Sequence, residues 1–447
     1  MRTVEGCAGR FRGAVVSMVS IVTMGLCGVC TADRALPEYV SKPDASSQWR
    51  LISAADGPQG TVYNLELTSQ TWRGITWTHA LSIIKPASIV RPNHALLYIT
   101  GGSNPIGRID ADSGEVRVLS QIAQAIGAVV TIIHQVPNQP LYNGLSEDAL
   151  IAYTFDQYMK TRDATWPLLL PMVKSAVKAM DATQAVAREN LGIAINHFVV
   201  TGGSKRGWTT WLTGAVDPRV RAIAPMVIDV LNMAEQMPHQ LEVWGAYSDE
   251  IRDYTNLNIQ ERMLTPLGEK LRSIVDPFSY RNKLTIPKLI VIGTNDPYWP
   301  VDAVNLYFNQ LRGQKYILYV PNAGHDLGSG REAIAGIVGF FTRVASGTPL
   351  PEFSWKVKRD GSKAALTINA KTKPVEVNLW SAQSPIRDFR QAAWHKTSVA
   401  AGPDGNYLTG AQIPQAGYIA FYGELVYPIV AGQTYYLCTN MNVFGGQ

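Results

Sequence analysis

The sequence predicts an α/β protein: a mostly parallel eight-stranded sheet with helices on both faces, followed by a small antiparallel β-sandwich. Three observations predict it. Eight short runs between residues 61 and 325 are rich in apolar and β-branched residues and are punctuated by Gly, Pro and Asn, as strands buried on both faces of a parallel sheet are. Helical patterns fill the intervals, and strand–helix alternation selects a right-handed α/β arrangement. Beyond "GTPLPEF" at 347–353 polar residues alternate with apolar or aromatic ones between turn signals, the pattern of half-buried antiparallel strands.

In order along the chain, Arg2, Arg10 and Arg12 precede "GAVVSMVSIVTMGLCGVC" and the small residues "CTA". A charged region, an apolar region and a small-residue cleavage point predict a signal peptide over 1–32. A retained anchor is the alternative, because the apolar stretch approaches spanning length. Leu26 and Val29 stand where a lipoprotein site needs a small residue before Cys27 or Cys30. The leader predicts export, to the periplasm or the exterior, with no stable membrane span once it is removed. Of the four cysteines only Cys438 lies outside it, so the mature chain would rely on its core rather than on an internal disulfide.

Residues 33–48 read as a polar linker, and 49–347 as the α/β domain. Its strands are "TVYNLEL" (61–67) and "TWTHALSIIKP" (76–86), joined by a turn at Trp72-Arg73-Gly74, then "HALLYIT" (94–100), "AVVTIIH" (128–134), "HFVVTGG" (197–203), "RAIAPMVID" (221–229), "PKLIVIGTND" (288–296) and "KYILYVPNAGH" (315–325). Helices are expected at 146–161, 166–190, 205–215, 302–311 and 330–345. Residues 231–284, rich in Met, Tyr and charges, read as a helical insertion above the carboxyl ends of the strands. Residues 348–447 form the sandwich. A chain of 447 residues exceeds one ordinary core, which agrees with two domains.

Composition narrows the function. Apolar content of 46% with 17% charged residues is that of a folded protein. A formal charge of +5 without a dense Lys/Arg run does not imply a nucleic-acid partner. No Cys/His cluster has zinc spacing, and neither a metal nor an organic cofactor is expected.

The stretch "VVTGGSKRGWTT" carries the chemistry. Ser204 follows a strand and precedes a helix, the context of a nucleophile elbow; a plain helix N-cap is the other reading. The pattern is Gly202-x-Ser204-x-x-Gly207, with Arg206 where the usual second glycine would stand. His325, in "YVPNAGHDLG", is the candidate base, since imidazole titrates near neutrality. His134 also ends a strand, but it precedes Ser204 and suits structural packing. Asp296, in "LIVIGTNDPYWP", is the candidate acid; Asp229 is the alternative, with Asp302 and Asp326 weaker. Backbone N–H groups at Gly102 and Ser103, together with that of Lys205, are the candidate oxyanion site. Trp208, Tyr298, Trp299, Asn138 and Gln139 are placed to shape a substrate pocket. Lys205 and Arg206 could hold an anionic group, but adjacent helical residues diverge, which favours structural ion pairs.

Ser204, Asp296 and His325 fall in the order Ser…Asp…His, each at a strand's carboxyl end. Caps and turns seldom produce that joint placement. It predicts a serine hydrolase working through an acyl-enzyme on a small ester, or secondarily a peptide or amide. The competing expectation is a non-catalytic secreted binding or signalling protein on the same fold, its sandwich docking to a protein or glycan.

The strings "GGSKRGWTTWLTGAVDPRVRAIAPMVIDVLNM", "TWTHALSIIKP", "ITGGSN", "VPNQPL", "EDALIAYTFDQYM", "IVIGTNDPYWPVD" and "VPNAGHDL" resemble the PhoPQ-activated pathogenicity-related protein family, whose kin include secreted eukaryotic autocrine proliferation repressor proteins. The resemblance covers most of the chain from about Val62. It implies an exported protein with an α/β-hydrolase-like domain and a C-terminal β domain, and it matches Ser204, Asp296 and His325 to the family's triad positions. It implies no substrate. The Ser-Lys-Arg-Gly elbow is also similar to that of carbohydrate esterases acting on uronate esters.

Overall fold

A computed structural model describes residues 32–107, 113–429 and 432–445. The expected leader lies outside the described residues except for Ala32. The strands up to residue 320 are β1 (Gln48–Gly57), β2 (Gly60–Trp72), β3 (Ile75–Pro86), β4 (His94–Ile99), β5 (Val129–Ile133), β6 (His197–Gly203), β7 (Val220–Met226), β8 (Lys288–Gly293) and β9 (Lys315–Val320). They lie in the order β1-β2-β3-β5-β4-β6-β7-β8-β9. β1 to β3 form an antiparallel meander, and β3 joins β5 antiparallel; from β5 to β9 all neighbours are parallel. The run from β2 to β9 is an α/β-hydrolase-like sheet, as expected.

Period-two alternation sorts the strand residues onto two cores. In β4, Ala95, Leu97 and Ile99 enter one core and Leu96 the other; in β8, Ile290 and Ile292 oppose Leu289 and Val291. Helices α3 (Glu147–Thr161), α4 (Leu169–Val186) and α5 (Lys205–Val216) cover the first face. α2 (Gly114–Ile126) and α10 (Arg331–Ser346) cover the second. Both faces of the parallel strands are therefore dry, which is why those strands read as continuous apolar runs.

Four segments differ from expectation. The predicted linker begins as helix α1 (Ala32–Ser41), with Ala35 and Leu36 buried in the first core. It ends in β1, an exposed edge strand on β2 that lacks an apolar face and so leaves no periodic trace. Helix α2 was not foreseen, though the Ser113 hydroxyl caps Val116 N–H and Gly127, at φ 57°, ends the helix. Residues 302–311 hold only two short 3-10 turns, separated by Tyr307 at φ −139°.

The insertion is helical: α6 (Met233–Trp244), α7 (Arg252–Thr255), α8 (Ile259–Met263) and α9 (Pro266–Val275). Asp276 closes it. Its buried carboxylate accepts hydrogen bonds from the backbone N–H groups of Asn232 (3.2 Å), Met233 (2.9 Å) and Phe278 (2.9 Å), joining the start of the insertion to its end. Burial still pushes this carboxyl up to about 6, against the pull of those donors.

The C-terminal strands are β10 (Phe353–Asp360), β11 (Lys363–Ala370), β12 (Glu376–Ser384), β13 (His395–Ser398), β14 (Tyr407–Gln412), β15 (Tyr418–Pro428), β16 (Thr434–Cys438) and β17 (Asn442–Gly445). β10-β11-β14 form one sheet. Leu366 and Ile368 of β11 share a core with Leu379 of β12 and Phe421 and Leu425 of β15. The second sheet, β16-β15-β12-β13 with β17 beside β15, extends the central sheet, because β16 pairs with β9 at Cys438 and Ile317. The absent side chain of Gly339 in α10 makes room for the Tyr435 ring of β16, which an added Cβ would approach to 2.5 Å. The described residues thus form one compact unit. Among the described residues no helix is long and apolar enough to cross a membrane.

Candidate active site

The turn from β6 to α5 is built by close backbone approach. A Cβ on Gly202 would lie 2.9 Å from the carbonyls of Ile99 and Arg206, and one on Gly207 would lie 2.7 Å from the Met226 carbonyl and 3.0 Å from that of Gly202. Only glycine lets strand and helix cross at this spacing. Arg206 keeps its side chain clear of that crossing, so the motif tolerates a cation where the usual pattern has glycine. Ser204 itself sits at φ 55°, ψ −126°, a strained conformation for a residue with a side chain. The neighbours hold it: Ser204 N–H donates to the Met226 carbonyl (2.9 Å), and its own carbonyl accepts from Trp208 N–H (3.0 Å). The Ser204 side chain makes no N-cap hydrogen bond, so it is left to project from the turn.

There it meets His325. The Ser204 hydroxyl donates to His325 Nε2 at 2.9 Å, and His325 Nδ1–H donates to Asp296 Oδ2 at 2.9 Å. Asp296 is buried, and its second oxygen accepts from Tyr298 N–H (2.9 Å). The Tyr298 ring stacks on the imidazole with centroids 4.1 Å apart and planes 29° apart. Three residues 92 and 29 positions apart in sequence thus form one continuous hydrogen-bonded chain from a buried carboxylate to a strained serine. A neutral imidazole so held exposes its acceptor nitrogen to the hydroxyl, which is the arrangement that removes a proton from an attacking oxygen.

The other candidate carboxylates are engaged elsewhere. Asp229 lies buried against the Tyr307 hydroxyl and Val304 N–H. Burial, reinforced by Asp296 and Asp302, pushes its carboxyl up to about 7; the imidazole's partner is Asp296. Asp302 is bonded to His239 Nε2 (2.8 Å) and Arg387 Nη2 (2.8 Å), and Asp326 to Gly328 N–H (2.9 Å). His134 faces Glu115 at 3.7 Å.

The two cations after the serine are used internally. Arg206 forks onto both oxygens of Glu147 (2.7 and 2.6 Å) and donates to the Val136 carbonyl; Lys205 Nζ donates to Asp148 Oδ2 at 2.6 Å. Burial raises the Glu147 carboxyl, but the Arg206 fork, Gln139 and Lys205 outweigh it and hold the group at about 2. The backbone N–H of Lys205 opens helix α5, where first-turn amides have no intrahelical acceptor and the helix dipole favours negative charge. Ile99 pairs with Gly202, so the chain leaving β4 passes beside the elbow with Gly102 at φ 125° and Ser103 exposed.

Ser204 and His325 open into an apolar cavity. Of the predicted pocket residues, Trp208, Tyr298 and Trp299 line it. Asn138 and Gln139 do not. Asn138 Oδ1 accepts from Thr78 N–H and from Asn104, while Gln139 bonds Gly102 O, Glu147 Oε1 and Glu147 N–H. Both are buried scaffold side chains, with Asn138 Oδ1 and both polar atoms of the Gln139 amide already bonded. Most of the remaining wall comes from the insertion, including Met233, Met237, Ile251, Ile259 and Met263. Val227 also lines the cavity at φ 45°, rare for a β-branched residue. Sequence reasoning missed Tyr254, whose hydroxyl donates to Asp148 Oδ1 at 2.9 Å, and Asn295 and Asn322, described below. The Met-rich composition of 231–284 was the available signal for the cavity wall.

A family model for PhoPQ-activated pathogenicity-related proteins matches residues 36–390. The chain belongs to that family. It is also 32% identical over 426 residues to autocrine proliferation repressor protein A of Dictyostelium discoideum, covering 88% of this chain and 85% of that protein. Looser likenesses in structure include acetyl xylan esterase 1 from Thermoanaerobacterium sp. JW/SL YS485, with TM-score 0.47, 18% identity and coverage of 70% of this chain and 92% of that one. Another is the glucuronoyl esterase from Solibacter usitatus, with TM-score 0.41, 11% identity and coverage of 70% and 92%.

Proposed function

We propose that this family member is an exported serine hydrolase that cleaves an ester through an acyl-enzyme. The observation that carries the reading is the hydrogen-bonded chain Ser204–His325–Asp296, with Ser204 strained on a glycine-walled elbow at the mouth of an apolar cavity. Export rests on the leader sequence.

The steps follow from the geometry. His325 Nε2 takes the hydroxyl proton as Ser204 Oγ attacks the carbonyl carbon. Asp296 holds the proton on Nδ1 and stabilises the imidazolium. The developing oxyanion is received by the Lys205 N–H and by the backbone at Gly102 or Ser103. Collapse expels the alcohol, which takes the proton from His325. Water, deprotonated by the same nitrogen, then releases the acid and restores Ser204.

The test is rapid-mixing hydrolysis of an activated aryl ester. An initial burst of phenol equal to the enzyme present, followed by slower turnover, with both absent in Ser204→Ala, is the expected result. A folded wild-type protein that cleaves no aryl ester, or cleaves it equally well as Ser204→Ala, contradicts the proposal.

A further inference from the structure

His325 borders two cavities, one almost wholly apolar and one that also carries charged side chains. The apolar cavity meets both Ser204 and His325, and Met233, Met237, Met263 and Ile259 form its insertion wall. An open groove meets His325 but not Ser204, and is edged by Asn295, Asp326, Asp388, Arg390 and Gln391. Its far wall is the loop between β12 and β13, supplied by the sandwich. That loop is tied to both site-bearing loops. Asn295, the residue before Asp296, donates to the carbonyls of Phe389 (3.2 Å), Arg390 (3.2 Å) and Ala392 (2.8 Å). Asn322, three residues before His325, exchanges hydrogen bonds with the backbone N–H and carbonyl of Trp394. Arg390 is held by Asp388 (2.6 Å) and lies 4.2 Å over the Trp244 ring.

Ester chemistry distinguishes the two spaces. The acyl group ends up bonded to Ser204 Oγ, so it must occupy the cavity that reaches Ser204. The leaving oxygen takes its proton from His325 Nε2, beside Ser204, and the rest of the alcohol is assigned to the groove that shares His325. Two carboxylates and one guanidinium edge that groove. Hydroxyl groups can donate to the first and accept from the second, whereas an anion would meet Asp326 and a cation Arg390.

Resting on the hydrolase reading above, we propose that the substrate is an ester of a medium-length or aromatic apolar acid with an uncharged, hydroxyl-bearing alcohol. The Met-rich cavity takes the acid, and the sandwich loop at Asp388 and Arg390 takes the alcohol. Water supplies the oxygen and protons that separate the two products, and no other co-reactant is needed.

The test uses the full mature chain and two substrate series. With p-nitrophenyl acetate, butanoate and hexanoate, kcat/KM rises about fourfold per added methylene as each is buried, and Met237→Trp moves the optimum back toward acetate. With octanoate as the common acid, the glycerol monoester is preferred to the ethyl ester, and Arg390→Ala lowers that preference about tenfold, the worth of a charged hydrogen bond. An acetate optimum in the wild type, or a glycerol-to-ethyl ratio unmoved by Arg390→Ala, overturns the assignment. The wild-type series needs no variant, so misfolding of Met237→Trp leaves the test intact. Fluorophosphonate labelling run alongside separates the failures. A labelled enzyme that prefers acetate overturns the substrate class alone, whereas an unlabelled and inactive one overturns the hydrolase reading and this proposal with it.

Discussion

Replacing Asp296 by asparagine changes one atom pair and reverses the polarity of the whole relay. Asp296 Oδ1 accepts from Tyr298 N–H at 2.9 Å, and Oδ2 accepts from His325 Nδ1–H at 2.9 Å. In Asp296→Asn the amide oxygen keeps the Tyr298 bond, because a backbone N–H can only donate. The amide nitrogen then faces His325 Nδ1, which must become an acceptor and pass its proton to Nε2. Nε2 would donate toward Ser204 rather than accept from it. The ring has little freedom to escape, since Tyr298 stacks on it at 4.1 Å. Loss of the correct tautomer costs about 10⁴-fold in kcat at neutral pH, or about 5 kcal/mol of barrier. The assay is steady-state hydrolysis of an activated ester together with the rate of fluorophosphonate labelling, on protein whose fold is checked by circular dichroism. Asp229→Asn is the control: that carboxyl is already pushed up to about 7 by burial, so an amide resembles it and the rate should change by less than about tenfold. An Asp296→Asn enzyme within about tenfold of wild type, or an Asp229→Asn enzyme as slow as Asp296→Asn, would refute the assignment of the acid.

Three further perturbations probe the scaffold. Gly207→Ala places a Cβ 2.7 Å from the Met226 carbonyl; overpacking costs about 1–3 kcal/mol, and displacement of Ser204 should lower kcat about 10²-fold, as read by urea midpoint and ester turnover; unchanged values would remove the elbow argument. Arg206→Lys cannot fork onto Glu147 and should cost about 2 kcal/mol, with a double-mutant cycle against Glu147→Gln showing whether the loss belongs to that pair. His79, buried between the Ser69 hydroxyl and the His134 carbonyl, has its pKa pulled down by burial to about 4. The unfolded imidazole binds a proton near pH 6.5 and the folded one resists it, so the stabilisation is full above about 6.5 and is lost as pH falls toward 4, by roughly 3 kcal/mol in total. Urea midpoints from about pH 7 to about pH 5 should fall less steeply in His79→Gln; parallel slopes would contradict this.

The parallel strands and the elbow were legible because both faces of the sheet are buried and because glycine is demanded where backbones touch. Strand β1 was not, since it pairs only at the sheet edge and buries almost nothing. The meeting of Ser204, Asp296 and His325 was legible through chain order, as each follows the end of a strand. Asn138 and Gln139 misled for a physical reason: leaving β5 near the elbow places them close to the site, but neighbouring backbone groups and Glu147 consume their hydrogen bonds. Asn295 and Asn322 were invisible because their partners are backbone groups of a loop about 70 to 100 residues later, a pairing no local pattern records. The sandwich was legible as alternating strands, while its fusion to β9 depends on a single register contact at Cys438.

The most direct measurement is fluorophosphonate labelling of the mature protein followed by peptide mapping, with wild type beside Ser204→Ala and His325→Ala. The account predicts one adduct on Ser204 in the wild type, none in Ser204→Ala, and a labelling rate reduced by at least about 10³-fold in His325→Ala. A folded wild-type protein that stays unlabelled, or one labelled equally well without His325, would contradict an activated serine at this site.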